Sequence, residues 1–256
     1  MRLAVWIAAV MLAAMGGALG QTWKNETLPA GIILPVRLDN SISSKKAKAG
    51  QIFKGRIMQN VPLPDGGRVR EGAHVEGHVV AVAPATAGAG ARISIEIDKL
   101  IISHTTMPIR TSLRAIAGPL DIQDARLPAW GADRGTPENA YTTIQVGGDV
   151  VYRGGGHVMR HGAVVAEPVW DGVVGRLQAN EDGDCRGDAD GDEQPQALWL
   201  FSTDACGAYG FGKMEILDAG RTNEQGEIVF ATKRGDLNLR AGTGMLLRVR
   251  KLGKMR

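Results

Sequence analysis

Apolar and polar residues alternate through much of this chain, and glycine or proline stands at most points where the direction must reverse. Alternation runs through residues 32–38, 52–60 and 73–82, and a Pro-Asp-Gly-Gly turn occupies residues 64–67. A period of two is typical of half-buried strands, and these turn residues supply the backbone angles that a reversal needs. The stretch 28–82 therefore predicts a β-meander rather than a catalytic pocket.

The same pattern continues to the end of the chain. Ile93, Ile95 and Ile97 alternate with polar residues, and Gly147-Gly148 predicts a tight hairpin turn. Pro35 lacks a backbone N–H, so its strand is predicted to be an edge strand or to carry a bulge. Further strands are predicted at residues 100–102, 109–116, 142–146, 149–152, 157–160, 163–170, 173–177, 196–202, 211–219, 227–232, 237–240 and 245–249.

We therefore expect an all-β protein of two glycine-rich antiparallel domains, each a barrel or a sandwich. Glycine is abundant without a Gly-X-Y period, which indicates many turns rather than collagen. The expected division is a signal peptide at 1–20, a lead-in at 21–27, a β module at 28–118, a linker at 119–139, a second β domain at 140–252 and a basic tail at 253–256.

The first twenty residues have the features of a secretory signal. A positive start at Arg2 precedes an apolar run over residues 3–19, and small residues stand at 18 and 20. The run is a little shorter than the ~20 apolar residues of a spanning helix, so we expect cleavage, with a retained membrane anchor as the alternative. The sequence thus predicts a periplasmic or secreted protein.

The charge is nearly balanced, since 30 basic and 27 acidic residues give +3. This balance gives no support to a nucleic-acid partner. The end of the chain is locally basic and could contact an anionic surface such as a membrane peripherally, or it could be a solvated chain end. Its basic residues are Arg248, Arg250, Lys251, Lys254 and Arg256.

Two features lie in or beside an acidic loop at 181–193. Cys185 and Cys206 are the only cysteines of an exported chain, and we expect them to form a disulfide worth about 3 kcal/mol. Asp188, Asp190 and Asp192 match the first three ligand positions of an EF-hand loop and are the calcium candidates. Glu193 and Trp199 then occupy positions where that loop needs glycine and glutamate, so a solvated acidic loop is the alternative.

No catalytic motif is present. His74, Glu76 and His78 share a strand face, but positions four apart on a strand lie about 13 Å apart, too far for one zinc ion without a bulge at Gly77. His157 and His161 flank a predicted turn and lack a third ligand. The chain has no nucleophile elbow, phosphate loop or zinc-protease helix. We expect a protein that is not an enzyme and holds no cofactor, calcium excepted.

Residues 28–118 resemble a known family. The residues that carry the likeness are Leu28-Pro29-Ala30-Gly31, Val36-Arg37-Leu38, Ile42-Ser43-Ser44, Gly50 and the run from Gly72 to Val79. They resemble the β-barrel domain of TrbI-like proteins of type IV secretion and conjugation machines. Arg70-Glu71-Gly72-Ala73 departs from that family, and a signal peptide replaces its inner-membrane helix. Residues 140–250 resemble a secreted β domain of unknown function.

The sequence thus predicts an exported, non-catalytic envelope or assembly protein. It would act through β-domain surfaces on another envelope protein or on a second copy of itself. The first alternative is a calcium-supported carbohydrate- or ligand-binding protein, which needs an aromatic platform. The second is a hydrolase whose site assembles from distant residues.

Overall fold

The computed structural model describes residues 27–126, 141–153, 157–169, 172–179, 194–217 and 226–252. The expected signal peptide, most of the lead-in and linker, the calcium candidates and the tail after 252 lie outside these ranges. Within them, no helix has both the length and the apolar character that crossing a membrane requires.

Strands make up nearly all of the regular structure. In chain order the elements are β1 (Ile33–Leu38), β2 (Ile42–Ser43), β3 (Ile52–Ile57), β4 (Val61–Pro62), β5 (Arg68–Val69), β6 (His74–Ala83), β7 (Arg92–Ile102), β8 (Thr105–Pro108), β9 (Thr111–Ala117), α1 (Pro119–Asp124), β10 (Tyr141–Ile144), β11 (Val150–Arg153), β12 (Val158–Arg160), β13 (Ala163–Val169), β14 (Gly172–Gly175), β15 (Gln196–Ala197), β16 (Gly207–Tyr209), β17 (Met214–Leu217), β18 (Ile228–Thr232), β19 (Asn238–Leu239) and β20 (Gly244–Val249).

Ten of the described strands form one large sheet, which we call the barrel sheet. Its order is β16-β9-β20-β1-β3-β6-β7-β18-β17, and β8 pairs with β7. The two end strands, β16 and β17, are consecutive in the chain, and the sheet curls into a nearly closed, barrel-like form. The predicted all-β class is therefore confirmed. Strands from both sides of the expected linker share this sheet, because β20 lies between β1 and β9.

The barrel interior follows from the alternation in the sequence. On β7, Ile93, Ile95 and Ile97 point inward and are buried, whereas Glu96 and Asp98 face outward. Phe53 on β3 and Phe230 on β18 fill the same core. One apolar face closed on itself removes these side chains from water, which is the main stabilising contribution to such a fold.

The prediction of an edge position or a bulge for Pro35 is wrong. β1 is an interior strand, paired with β20 on one side and with β3 on the other, and the pairing of Pro35 with Leu246 is regular. The carbonyl of Pro35 accepts from Met58 N at 2.9 Å on the β3 side. A residue's N–H and C=O point to the same side of a strand, so the missing N–H removes no bond to β20.

Strands β10 to β15 form a second sheet in simple sequential order, which we call the meander sheet. All of its pairings are antiparallel, and a bulge lies between β12 and β13 at Val158/Met159. The predicted turns at Gly147-Gly148 and His161-Gly162 are confirmed, with all four residues at positive φ. Its inner face has a small core of Val158, Ala166 and Val173.

A second apolar cluster joins the two sheets. It contains outward-facing residues of the barrel sheet, such as Ile33 and Leu246, together with Ile122 of α1 and buried residues of the segment 198–205. The predicted strand at 196–202 stops at Ala197, because the following residues turn, with Trp199 at φ 58°. Leu198, Leu200 and Phe201 are apolar because this turning segment is packed between the sheets.

Candidate interaction surface and the junction that positions it

An apolar row crosses four strands on the outer face of the meander sheet. Ile144 of β10 lies opposite Val150 of β11, Val150 lies opposite Met159 of β12, and Met159 lies opposite Val164 of β13. Directly opposed residues share a face, so these four positions form one continuous line. We call this side of the sheet the outer face; it also includes Val169 of β13 and Val174 of β14.

The outer face exposes large aliphatic side chains to solvent. Ile144 is 53% exposed, Val164 52% and Val169 40%, and these are three of the six large exposed hydrophobics among the described residues. Ile52 on the barrel sheet is equally exposed, at 54%, but its nearest strand neighbours are polar. Isolated exposed apolar residues are ordinary, whereas several on one sheet face indicate an interaction site.

One hydrogen-bonded polar pair interrupts the apolar character of the outer face. His157 Nδ1 lies 2.6 Å from Glu167 Oε2, and both side chains are more than half exposed. An exposed pair of this kind contributes little to stability. The carboxylate of Glu167 therefore has a hydrogen-bond partner, His157, on the same face of the sheet.

The meander sheet is fixed by four buried polar residues and the half-buried Arg160, which together we call the junction cluster: Arg114, Asp149, Arg160, Thr203 and Asp204. Asp149 follows the Gly147-Gly148 turn and is fully buried. Its Oδ2 accepts from the backbone N of Thr203 at 2.8 Å and from Thr203 Oγ1 at 2.9 Å. Its Oδ1 accepts from Arg160 Nη1 at 3.3 Å. These bonds join the first hairpin of the meander sheet to the segment 202–206.

Arg160 also binds Asp204, so one guanidinium serves two carboxylates. The hydrogen bond with Asp204 raises the pKa of Arg160 above its ordinary value, and the arginine stays charged. Asp204 Oδ1 accepts a further bond from Ser202 Oγ at 2.9 Å. Buried carboxylates require such partners, because an uncompensated buried charge is costly.

Arg114 binds the same segment from the barrel side. This residue of β9 is 1% exposed; its Nε donates to Ala205 O at 3.0 Å, and its Nη2 donates to Gln178 O at 2.7 Å. Tyr209 lies in the same charged surroundings, and its Oη accepts from Cys206 N at 3.1 Å. Burial raises the pKa of the Tyr209 hydroxyl, which is therefore neutral. Segment 202–206 thus links the barrel sheet to the meander sheet.

Two buried glutamines add further bonds between the sheets. Gln59 donates from Nε2 to Val173 O at 2.9 Å, and its Oε1 accepts from Val173 N at 3.1 Å. Gln196 Oε1 accepts from Ile33 N at 3.1 Å. Gly172 is required beside Gln59, since an added Cβ would lie 2.2 Å from Gln59 Oε1. The sequence signals none of these contacts, because each joins residues more than a hundred positions apart.

Several predicted site residues fall outside the described ranges. They are Cys185 and the calcium candidates Asp188, Asp190 and Asp192. Cys206 is described and buried, at the end of the segment that the junction cluster binds. The disulfide and the calcium site therefore stay predictions. Among the described residues, no group of three histidine, cysteine or acidic side chains has metal-site geometry.

The basic residues near the chain end have different environments. Arg248 is part of β20 and is buried. Arg250 Nε donates to Ser112 Oγ at 2.8 Å, and Lys251 is exposed. Lys254 and Arg256 lie outside the described residues. Of the three basic residues that the structure describes here, the half-buried Arg250 and the exposed Lys251 could contact a partner surface, whereas the buried Arg248 could not.

The predicted polar face of β6 carries hydrogen-bonded pairs. His78 Nδ1 lies 3.0 Å from Asp98 Oδ2, and its Nε2 lies 4.0 Å from Glu96 Oε2. Burial raises the pKa of Glu96, with a further increase from the charge of Asp98 and an opposing effect of His78. The register between β6 and β7 shifts beside Gly77, but the extra residue, Asp98, belongs to β7, and Glu76 contacts Lys54 and Lys99. This face therefore carries cross-strand hydrogen bonds of His78 and ion pairs of Glu76 with two lysines.

Comparison with known proteins adds no relative. No family model, no curated protein and no solved structure matches this chain. The resemblance of residues 28–118 to TrbI-like proteins accordingly stays a prediction.

Proposed function

We propose that this chain is an exported, non-catalytic envelope or assembly protein that acts through the surfaces of its β sheets. The signal-like first twenty residues support export to the periplasm or the exterior. The resemblance to TrbI-like proteins supports a place in an envelope assembly. The protein's contact surface is the outer face of the meander sheet.

The exposed aliphatic row on the outer face carries this proposal. Ile144 and Val164 are each more than half exposed on a sheet whose inner face is bound by buried polar contacts. A sheet held at a fixed position presents its outer side chains in a fixed arrangement. Such preorganisation lowers the entropy cost of binding a partner.

The test is photo-crosslinking in the source cells. A photoreactive amino acid replaces Val164 in one variant and Ile52 in a control, since the two native side chains are almost equally exposed. We expect covalent adducts of defined mass from position 164 in the envelope or exported fraction, and none from position 52. The absence of adducts at 164, or equal adducts at both positions, would contradict the proposal.

A further inference from the structure

We infer that one end of the barrel sheet binds an anionic phospholipid surface. This end is a second interaction surface, apart from the outer face of the meander sheet, and the inference does not depend on the partner of that face. Three segments form it: 43–51, which leads from β2 to β3; 84–92, which joins β6 to β7; and 232–240, which continues from β18 through β19. We call this end the cationic rim.

The strand order of the barrel sheet brings the three segments together. β1, β6 and β18 end at the same end of the sheet at which β3 and β7 begin, because these neighbours are antiparallel. Hydrogen bonds then join the segments directly. Ser44 N donates to Leu237 O at 2.9 Å, and Ala91 N donates to Gly235 O at 3.2 Å. The side chains of the cationic rim are therefore carried by one connected surface.

The cationic rim has a positive charge that the rest of the chain does not have. Its segments contain seven of the 30 basic residues and one of the 27 acidic residues, which leaves 23 basic and 26 acidic residues elsewhere. The net charge of +3 therefore arises at this end of the barrel sheet. All seven basic residues are exposed: Lys45, Lys46, Lys48, Arg92, Lys233, Arg234 and Arg240.

The single acidic residue of the cationic rim is bonded within it. Asp236 Oδ2 lies 3.0 Å from Lys45 Nζ, and its Oδ1 accepts from Ser44 Oγ at 3.1 Å. The hydrogen bond from Lys45 lowers the pKa of Asp236. Lys233 Nζ lies 2.9 Å from Glu215 Oε1 of β17. The other five basic side chains form no ion pair with any described acidic residue, so their charges face solvent.

The composition of the cationic rim favours lipid headgroups over other anionic partners. Its three segments contain no aromatic residue. Protein interfaces are enriched in aromatic side chains and depleted in lysine, and proteins that bind single-stranded nucleic acids stack the bases on aromatic rings. Clustered lysine and arginine side chains bind an anionic lipid surface through charge alone. Such binding weakens as salt is added, because ions screen exposed charges.

The test is co-sedimentation of the purified protein with phosphatidylcholine vesicles that contain or lack phosphatidylglycerol. We expect binding to the anionic vesicles alone, and weaker binding at higher salt. Lys46→Gln with Lys48→Gln should lower the partition constant about tenfold to thirtyfold, since each basic residue near the surface adds to binding. Arg68→Gln with Arg70→Gln removes the same charge from exposed positions beyond the other end of β3, and should change it by less than about twofold.

A third variant separates charge from local structure. Lys46→Arg with Lys48→Arg keeps both charges and should bind as the wild type does; loss of binding in this variant would overturn the inference. A wild type that does not respond to phosphatidylglycerol, or an equal loss in the two glutamine variants, would also overturn it. Tighter binding to a single-stranded oligonucleotide than to the vesicles, lost in Lys46→Gln with Lys48→Gln, would assign the cationic rim to nucleic acid instead.

Discussion

The barrel sheet and the meander sheet have similar strand geometry but are stabilised by different interactions. The barrel sheet closes around a continuous apolar interior that includes Phe53 and Phe230. The meander sheet has a core of three small or medium side chains, and its position depends on Asp149, Gln59 and their partners. Apolar burial therefore stabilises one sheet, whereas buried hydrogen bonds orient the other. The comparison predicts that the two sheets respond separately to substitution.

The largest expected effect is on the barrel core. Phe53→Ala removes a side chain that is 1% exposed, and we expect the free energy of unfolding to fall by about 3–5 kcal/mol. Ile52→Ala on the same strand is the matched control and should change it by less than about 0.5 kcal/mol. Denaturant unfolding measures both. Equal effects of the two substitutions would show that the inward-facing side of β3 contributes no more to stability than its solvent-facing side.

Breaking the junction cluster is expected to open the meander sheet alone. Asp149→Ala removes the acceptor of the backbone N and the hydroxyl of Thr203 and one of the two carboxylates that bind Arg160, at a cost of about 3 kcal/mol. Hydrogen exchange should accelerate in residues 141–169 and stay unchanged in β1 and β3. Asp124→Ala, at an exposed aspartate of α1, is the control. Acceleration throughout the barrel sheet would refute the separation of the two sheets.

A smaller effect is expected at the second contact between the sheets. Gln59→Leu leaves the N–H of Val173 without its acceptor in a buried place, at a cost of about 2 kcal/mol, whereas Val173 O keeps its bond from Leu198 N. The change should appear in the exchange of residues 172–175 before it appears elsewhere. Gln123→Leu, at an exposed position of α1, provides the comparison. Protection of β14 that matches the wild type would show that the Gln59 bonds contribute nothing.

The smallest effect concerns the ion pairs on the barrel surface. The pKa of Glu96 is raised by burial, so the folded state binds its proton more tightly than the unfolded state, and stability falls as pH rises through that pKa. Glu96→Gln should therefore raise the melting temperature at pH 7. The corresponding increase in the free energy of unfolding is on the order of 0.5 kcal/mol. The difference should vanish near pH 3, where both states are protonated. An advantage of the variant that is equal at both pH values would exclude this cause.

Sequence patterns predicted strands more reliably than strand partners. Ile93, Ile95 and Ile97 identified β7 because alternation directly reflects one buried face. The mostly apolar run of β20 carries no information on its neighbours, so its place between β1 and β9 could not be predicted. The run at 196–202 was misinterpreted because a packed turn and a buried strand have the same composition.

The candidate surface was harder to predict from the sequence than the fold. Val164 and Val165 belong to one apolar run, and only the bulge between β12 and β13 places Val164 beside Met159 on the outer face. The junction cluster joins positions 114, 149, 160 and 204, and nothing in their local sequence marks them as neighbours. Buried polar contacts of this kind depend on the fold being complete.

The position of β20 has a consequence for synthesis of the protein. Ile33 pairs with Arg248, roughly 200 residues later in the chain, and the other side of β20 pairs with β9. While the chain is still being made, β1 and β9 each have an unfilled backbone edge, which other chains could occupy. The barrel can therefore close between β1 and β9 only after β20 has been synthesised.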